Sequence, residues 1–409
     1  MLKSSGSNFK TELLAGITTF VAMSYILVVN PLILGQSGMN TEALFIATAL
    51  ASAIMTLIMG LYADLPIALA PGMGLNAFFT YTLCLSKGIP WQGALGLVFY
   101  SGILFLLITV LGIRKKIIAL LPKTIRIGLT IGIGLFITLI GLKNADIVVP
   151  NPATLIGLGN IFSARVLAVF FGIILSIILK TKKVPGFLFI SIITITVIYF
   201  FLGEIKIPQS FVSTTFNLSE TFFKLDFSYL WNNLSLCFPL LISLLFVDMF
   251  DNLGTLISVG TKAGLMEKNG EIKNMDRALR SDAFAAMIGA VLGTSSVVSY
   301  IESATGVEQG GKTGMTAIVV SGCFILSLFL APLFLMIPIA ATTPALVFVG
   351  VAMISEIRDL DFDDLSELFP AFVTMIMIPF SFSIAEGIGF GMAAYCIIKL
   401  IQNALGEKS

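Results

Sequence analysis

Histidine is absent from the 409 residues, and only 11% of them are charged. The first absence removes imidazole, so proton exchange falls to carboxylates and histidine-based metal sites are excluded. The second leaves too little polar surface for a soluble domain of this length, because 57% of the residues are apolar and the mean hydropathy is +1.01. Lys and Arg total 24 against 23 Asp and Glu, so no basic face is available for nucleic-acid phosphates. Cys84, Cys237, Cys323 and Cys396 form no CxxC pair and read as buried apolar fillers. No metal cluster and no nucleophile–base pair stands out, so no metal, cofactor or enzymatic activity is expected.

What the chain does have is a succession of apolar runs about 20 residues long, the length that crosses a bilayer core of about 30 Å. The clear ones are 12–36, 42–62, 91–113, 125–143, 164–180, 184–203, 234–261 and 314–336. The first continues well past the length of a signal peptide and lacks a small-residue cleavage site, so a span is expected there. Basic residues cluster at Lys3 and Lys10, at 114–126, at 180–183 and at 262–280. The positive-inside rule puts all four clusters on the cytoplasmic side. Parity then requires an unusual crossing at 64–86 and two within 281–313, giving fourteen spans, both termini cytoplasmic and a cell-membrane location. Segment 204–232 becomes a long external connection with room for a small surface helix and an interfacial Trp231. The acidic run EIRDLDFDDLSE (356–367) departs from a calcium loop at Asp364 and Pro370 and reads as a solvated loop.

Two stretches break the apolar pattern. LPIALAPGMGLNAFF carries Pro66, Pro71, Gly72, Gly74 and Asn76, and TSSVVSYIESATGV carries Glu302, Ser303 and Ala304. Each begins as a short extended run and ends at a helix start, expected near mid-membrane with the two starts facing each other. Irregular backbone at that depth is tolerated only where it is buried in protein or lines a cavity, and helix starts present free N–H groups. FVAMSYIL (20–27) aligns with FVDMFDNL (246–253) at an offset of 226. The same offset carries Tyr25 onto Asp251 and Asn76 onto Glu302, and seven spans per half would make the repeats inverted. Intramembrane carboxylates cost about 2.5–3.5 kcal/mol each, so Asp248, Asp251 and Glu302 read as functional, Asp248 with a structural cap as its rival. Glu308 and Lys312 read as a boundary ion pair, and Gly128, Gly132 and Gly134 as a helix-packing face.

TTFVAMSYILVVNP, APGMGLNAFFTYT, FVDMFDNLGTLISV and TSSVVSYIESATGVEQGGKTGMTA together resemble the guanine/hypoxanthine (AzgA-like) branch of the xanthine/uracil permease superfamily. The resemblance implies an all-α polytopic protein of two inverted seven-span repeats, with short extended segments breaking spans 3 and 10. It also implies a core domain (11–113 and 234–332) moving against a gate domain (123–203 and 333–403). The implied activity is purine nucleobase import by proton symport, with a homodimer as a candidate assembly. A xanthine/uracil-type carrier and a sulfate-type anion transporter are the alternatives. Residue by residue, the implied substrate contacts are Asn76, Asp251 and Glu302, with Tyr25, Gly72, Gly74, Ser303 and Ala304 around them. Asp248, Asp251 and Glu302 are the candidates for carrying the proton. Asn252, where the family often has Thr, is the one departure.

Overall fold

The computed structural model describes residues 7–113, 121–266 and 272–405. Lys3, Arg114, Lys115, Lys116 and Lys268, members of the basic clusters, lie outside the described residues. Apolar composition and side-chain caps set the helices. Asn8 caps α1 (Phe9–Met23), which turns at Ser24–Tyr25 into α2 (Ile26–Gly35). Asn40 accepts from the Glu42 and Ala43 N–H groups at the start of α3 (Thr41–Ile58), satisfying donors that a helix leaves orphaned. A π-helical turn, Met59–Ala63, ends α3 at Asp64, which has a positive φ.

Next come strand β1 (Leu69–Pro71), helix α4 (Met73–Ala77) with its π-helical continuation Phe78–Ser86, and α5 (Trp91–Val110). Helix α6 (Lys123–Asn144) leads to a hairpin of β2 (Val148–Asn151) and β3 (Leu155–Leu158), then to α7 (Ala164–Thr181) and α8 (Phe187–Phe201). The connection at 204–232 is mostly irregular and ends in α9 (Ser228–Asn232), where exposed Trp231 donates to Tyr100 Oη. Asp226 in this connection accepts from the Ser228 hydroxyl and from the Ser228 and Tyr229 N–H groups, which hold its carboxyl below the usual range.

The second half runs through α10 (Leu234–Lys262), α11 (Met275–Leu292), strand β4 (Val297–Ser299), α12 (Ser303–Glu308) and α13 (Gly314–Ser327). It ends in α14 (Ala331–Leu335), α15 (Thr343–Ile354), α16 (Leu365–Ser381) and α17 (Ile384–Leu405). Asp364 caps α16 through the Ser366 N–H. Among the described residues nine helical stretches are long and apolar enough to cross a membrane, and two shorter apolar helices, Phe187–Phe201 and Leu365–Ser381, accompany them.

Two packed groups emerge. Helices α1, α3, α5, α10, α11, α12 and α13 pack with one another around the β1–β4 pair, while α6 packs on α15 and α16, α16 on α17, and α7 on α8. Gly128 and Gly132 let α6 approach α16, and Gly134 lets it approach α15, where a Cβ would lie 2.9 Å from Met353 Cβ. Some expectations are corrected. The chain is mostly helical rather than all-α, because it holds two small antiparallel sheets. Of the cysteines only Cys237 is fully buried, and Cys396 is exposed. Glu308 pairs with Lys262 at 3.4 Å instead of with Lys312.

Candidate substrate site

Strands β1 and β4 pair antiparallel, with Leu69 opposite Ser299, Ala70 opposite Val298 and Pro71 opposite Val297. The Tyr300 N–H donates to the Ala68 carbonyl and the Gly72 N–H to that of Ser296, which extends the ladder at both ends. The outer edges are satisfied by side chains. Thr56 Oγ1 of α3 receives the Leu69 N–H and donates back to the Leu69 carbonyl, and Asn252 Oδ1 of α10 receives the Ser299 N–H at 2.9 Å. Because the strands are antiparallel and each runs directly into a helix, α4 and α12 leave in opposite directions and their starts face each other across the pair.

Around this crossing Tyr25, at the break between α1 and α2, donates its hydroxyl to Glu302 Oε1 at 2.5 Å. Glu302 is the N-cap of α12 and is partly accessible. Asp251 lies beside it on α10, and a Cβ added at Gly72 would come within 3.5 Å of Asp251 Oδ2. The Asp251 side chain is accessible although α4, β4 and α12 pack around its helix. It therefore lies on an accessible stripe of α10 that runs past Gly254, where nothing lies within 4 Å of an added Cβ, to exposed Ile257. Asn76, fully buried, accepts from Ser295 Oγ through Oδ1, while its Nδ2 has no partner among the described residues.

The remaining candidates have contacts within the protein. Gly74 admits α6, with a Cβ there 2.9 Å from Ile133 Cγ2. Ser303 Oγ accepts the Ala68 N–H at 3.0 Å, and buried Ala304 donates its N–H to the Ile301 carbonyl. The α12 start is thus closed by its own turn. Asp248 is buried and both its oxygens are occupied, Oδ1 by Asn252 Nδ2 at 2.9 Å and Oδ2 by Ser296 Oγ at 2.8 Å. Asn76 and Glu302 also sit at different steps of their helices: Asn76 donates its N–H to the carbonyl of the Gly72 cap, whereas Glu302 is itself a cap.

The sequence reading passes over several polar groups that organise this region. Asn252 links α10 to β4, Ser295 orients Asn76, and Asn30 donates to Thr48 and Thr294 at 2.6 and 2.8 Å, tying α2 and α3 to the segment before β4. Asp282 of α11 accepts from Ser299 Oγ at 2.9 Å. The cluster of Thr294, Ser295 and Ser296 in an apolar stretch is the signal that could have exposed them.

Paired strands at the meeting of two broken helices, with a buried unpartnered amide and two accessible carboxylates beside them, mark the candidate polar site of a membrane transporter. The sequence matches the Permease family model of xanthine/uracil type over residues 10–390, and the chain belongs to that family. It is 43% identical to the adenine permease AdeP of Escherichia coli, over 100% of this chain and 91% of that one. It is 40% identical to the guanine/hypoxanthine permease PbuG of Bacillus subtilis, over 98% and 93%. The fold is similar to the transmembrane domain of the cyanobacterial bicarbonate transporter BicA, with TM-score 0.68, 14% identity and coverage of 94% and 97%. The protein is thus a multi-pass membrane permease and not an enzyme.

Proposed function

We propose that the protein imports purine nucleobases by proton symport, with Asn76, Asp251 and Glu302 as the ligand contacts. The observation that carries this reading is the free hydrogen-bonding capacity at the crossing. Tyr25 occupies one Glu302 oxygen, Asp251 is accessible, and the Asn76 amide has a donor to spare. A 6-oxopurine presents N1–H to a carboxylate and ring nitrogens and a C6 oxygen to an amide donor. The names of the adenine and guanine/hypoxanthine permease relatives support purines as the substrate class.

In this reading the nine long helices among the described residues, the two shorter ones, α11 and the two broken crossings are the fourteen spans. The group around β1–β4 is then the core and the group around α6 is the gate, related as inverted repeats, with both termini cytoplasmic. Alternating access follows if the two groups rock about the site. On one side they are joined by Lys87–Glu386 at 2.5 Å, by Thr82 Oγ1 donating to the Phe382 carbonyl, and by the edge-to-face contact of Tyr81 with Phe136. On the other side the α10 face from Asp251 to Ile257 is open. With the Lys262 end of α10 cytoplasmic, this is an inward-facing arrangement.

Uptake of radiolabelled hypoxanthine by cells lacking their own nucleobase carriers tests the reading. Competition by guanine, hypoxanthine or adenine, and abolition of accumulation by a protonophore, are expected. Competition by sulfate alone would identify an anion transporter, and preferential competition by uracil a pyrimidine carrier.

A further inference from the structure

Asp282 stands in the middle of α11 with no exposed surface. Its Oδ1 accepts from Ser299 Oγ at 2.9 Å, and its Oδ2 has no hydrogen-bond partner among the described residues. No cation faces it. The helix α10 presents Asp248 and Asp251, with Lys262 in its last turn, α5 has Tyr100, and α3 has only Glu42 at its far start. The π-helical turn after α3 has Tyr62, with Asp64 following, β4 has no ionisable group, and the Asp276, Arg277 and Arg280 side chains of α11 itself are exposed. The ion pairs among the described residues, Lys87–Glu386, Arg165–Glu204 and Lys262–Glu308, all lie elsewhere.

An ionised carboxylate with one free oxygen and no counter-charge is strongly unfavourable in such surroundings, and a proton on that oxygen removes the charge. Asp248 differs, since two donors already hold its oxygens. Asp282 is also wired to the substrate site. Ser299 donates its hydroxyl to Asp282 and its N–H to Asn252, which follows Asp251 in α10, and Tyr300, the next residue, donates to the Pro71 carbonyl at 2.6 Å beside Gly72.

We propose that Asp282 is a proton-carrying site of the transport cycle, set behind β4 and linked to the nucleobase through Ser299 and Asn252. One O–H bond forms at Oδ2 when the proton arrives, and it breaks when the proton leaves to the opposite side. No other bond changes. Loss of the proton creates a charge that the β4 hydroxyl and N–H network must absorb, and this joins ionisation to the geometry of the crossing.

The inference rests on proton-coupled purine transport, so the wild-type protein in proteoliposomes is the reference. Asp282→Asn keeps an oxygen for Ser299 and has no proton to exchange. Its expected behaviour is purine binding within about threefold of wild type and intact counterflow exchange, with accumulation driven by an imposed pH gradient reduced at least tenfold. Ser299→Ala, which leaves the acid in place, is expected to move the pH profile of accumulation by half a unit or more, while Ser296→Ala, which touches Asp248, leaves it in place. Wild-type accumulation by Asp282→Asn overturns the proposal, as does loss of exchange together with accumulation in a purine-binding variant. Should Asp282→Asn not fold, an unshifted Ser299→Ala profile overturns it. Absence of gradient-driven accumulation in the wild type would instead overturn proton symport itself.

Discussion

Glu302→Gln separates a ligand contact from a fold element. The Tyr25 hydroxyl occupies Oε1 at 2.5 Å, which leaves Oε2 to accept from a bound oxopurine. An amide that keeps its oxygen on Tyr25 turns its –NH2 toward the ligand, donor against donor at N1–H. Turned the other way, it donates to Tyr25 and offers the ligand an uncharged carbonyl. Either orientation loses a hydrogen bond to a charged group, about 1.5–3 kcal/mol. At about 1.4 kcal/mol per factor of ten, Kd for hypoxanthine rises roughly 10- to 150-fold. Insertion survives, because an amide is cheaper to bury in the membrane than a carboxylate. Equilibrium binding of tritiated hypoxanthine to purified protein reads the effect, with the elution profile and the thermal midpoint reporting the fold. Adenine supplies a second arm, since its N1 is an acceptor that suits the first amide orientation, so its affinity is expected to fall less than that of hypoxanthine. A folded variant that binds both purines with wild-type Kd refutes the placement of Glu302 at the ligand.

In the wild type, with Glu302 offering acceptors, hypoxanthine is expected to compete better than adenine, and equal inhibition in an uptake assay would discard this edge assignment. Tyr25→Phe removes the donor on Glu302 while leaving the ring, and because Glu302 is partly accessible water replaces some of the loss. About 1 kcal/mol, roughly a fivefold rise in Kd, is expected by the same binding assay. Gly306→Ala builds a Cβ against Thr19 Oγ1 and 2.5 Å from the Ala15 carbonyl, so α12 must move off α1. A loss of about 1–3 kcal/mol, read as a lower thermal midpoint, and weakened purine binding follow together, and an unchanged midpoint would show that the α1–α12 contact is slack. A disulfide between Lys87→Cys and Glu386→Cys, made with the native cysteines replaced, is expected to stop uptake reversibly. Full uptake by the oxidised protein would show that this contact does not open during transport.

Tyr25, Asn76, Asp251 and Glu302 stand out in the sequence as candidates because each is polar inside an apolar run, and lipid makes such residues conspicuous without any structure. Helix existence is legible for the same reason, since 20 apolar residues have few alternatives. Roles that depend on side-chain direction are not. Ser303 follows Glu302 in the chain, yet consecutive helical residues point different ways, and its hydroxyl serves β1. Asp248 and Asp251 are near neighbours on one helix, but only the structure separates the one whose oxygens are both occupied from the one that is accessible. Ser295, Asn252 and Asp282 gain meaning from partners that folding selects. The Ser295–Asn76 contact spans 219 positions, and a serine among small residues carries no mark of its partner. The β2–β3 hairpin escapes because its strands are four residues each, too short for alternation to register.

The three-residue pairing of β1 with β4 also bears on how the protein is made. Leu69 to Pro71 leave the ribosome more than 200 residues before Val297 to Ser299 exist. Until then the Ala70 amide group, which the proposed span arrangement puts at membrane depth, has no ladder partner and no water to replace it. Neither half can finish its own backbone bonding, so the first half is held as an incomplete intermediate while the rest is inserted. The two halves consequently form one folding unit despite their separate helices, and a chain cut near residue 210 is expected to assemble only when both pieces are co-expressed.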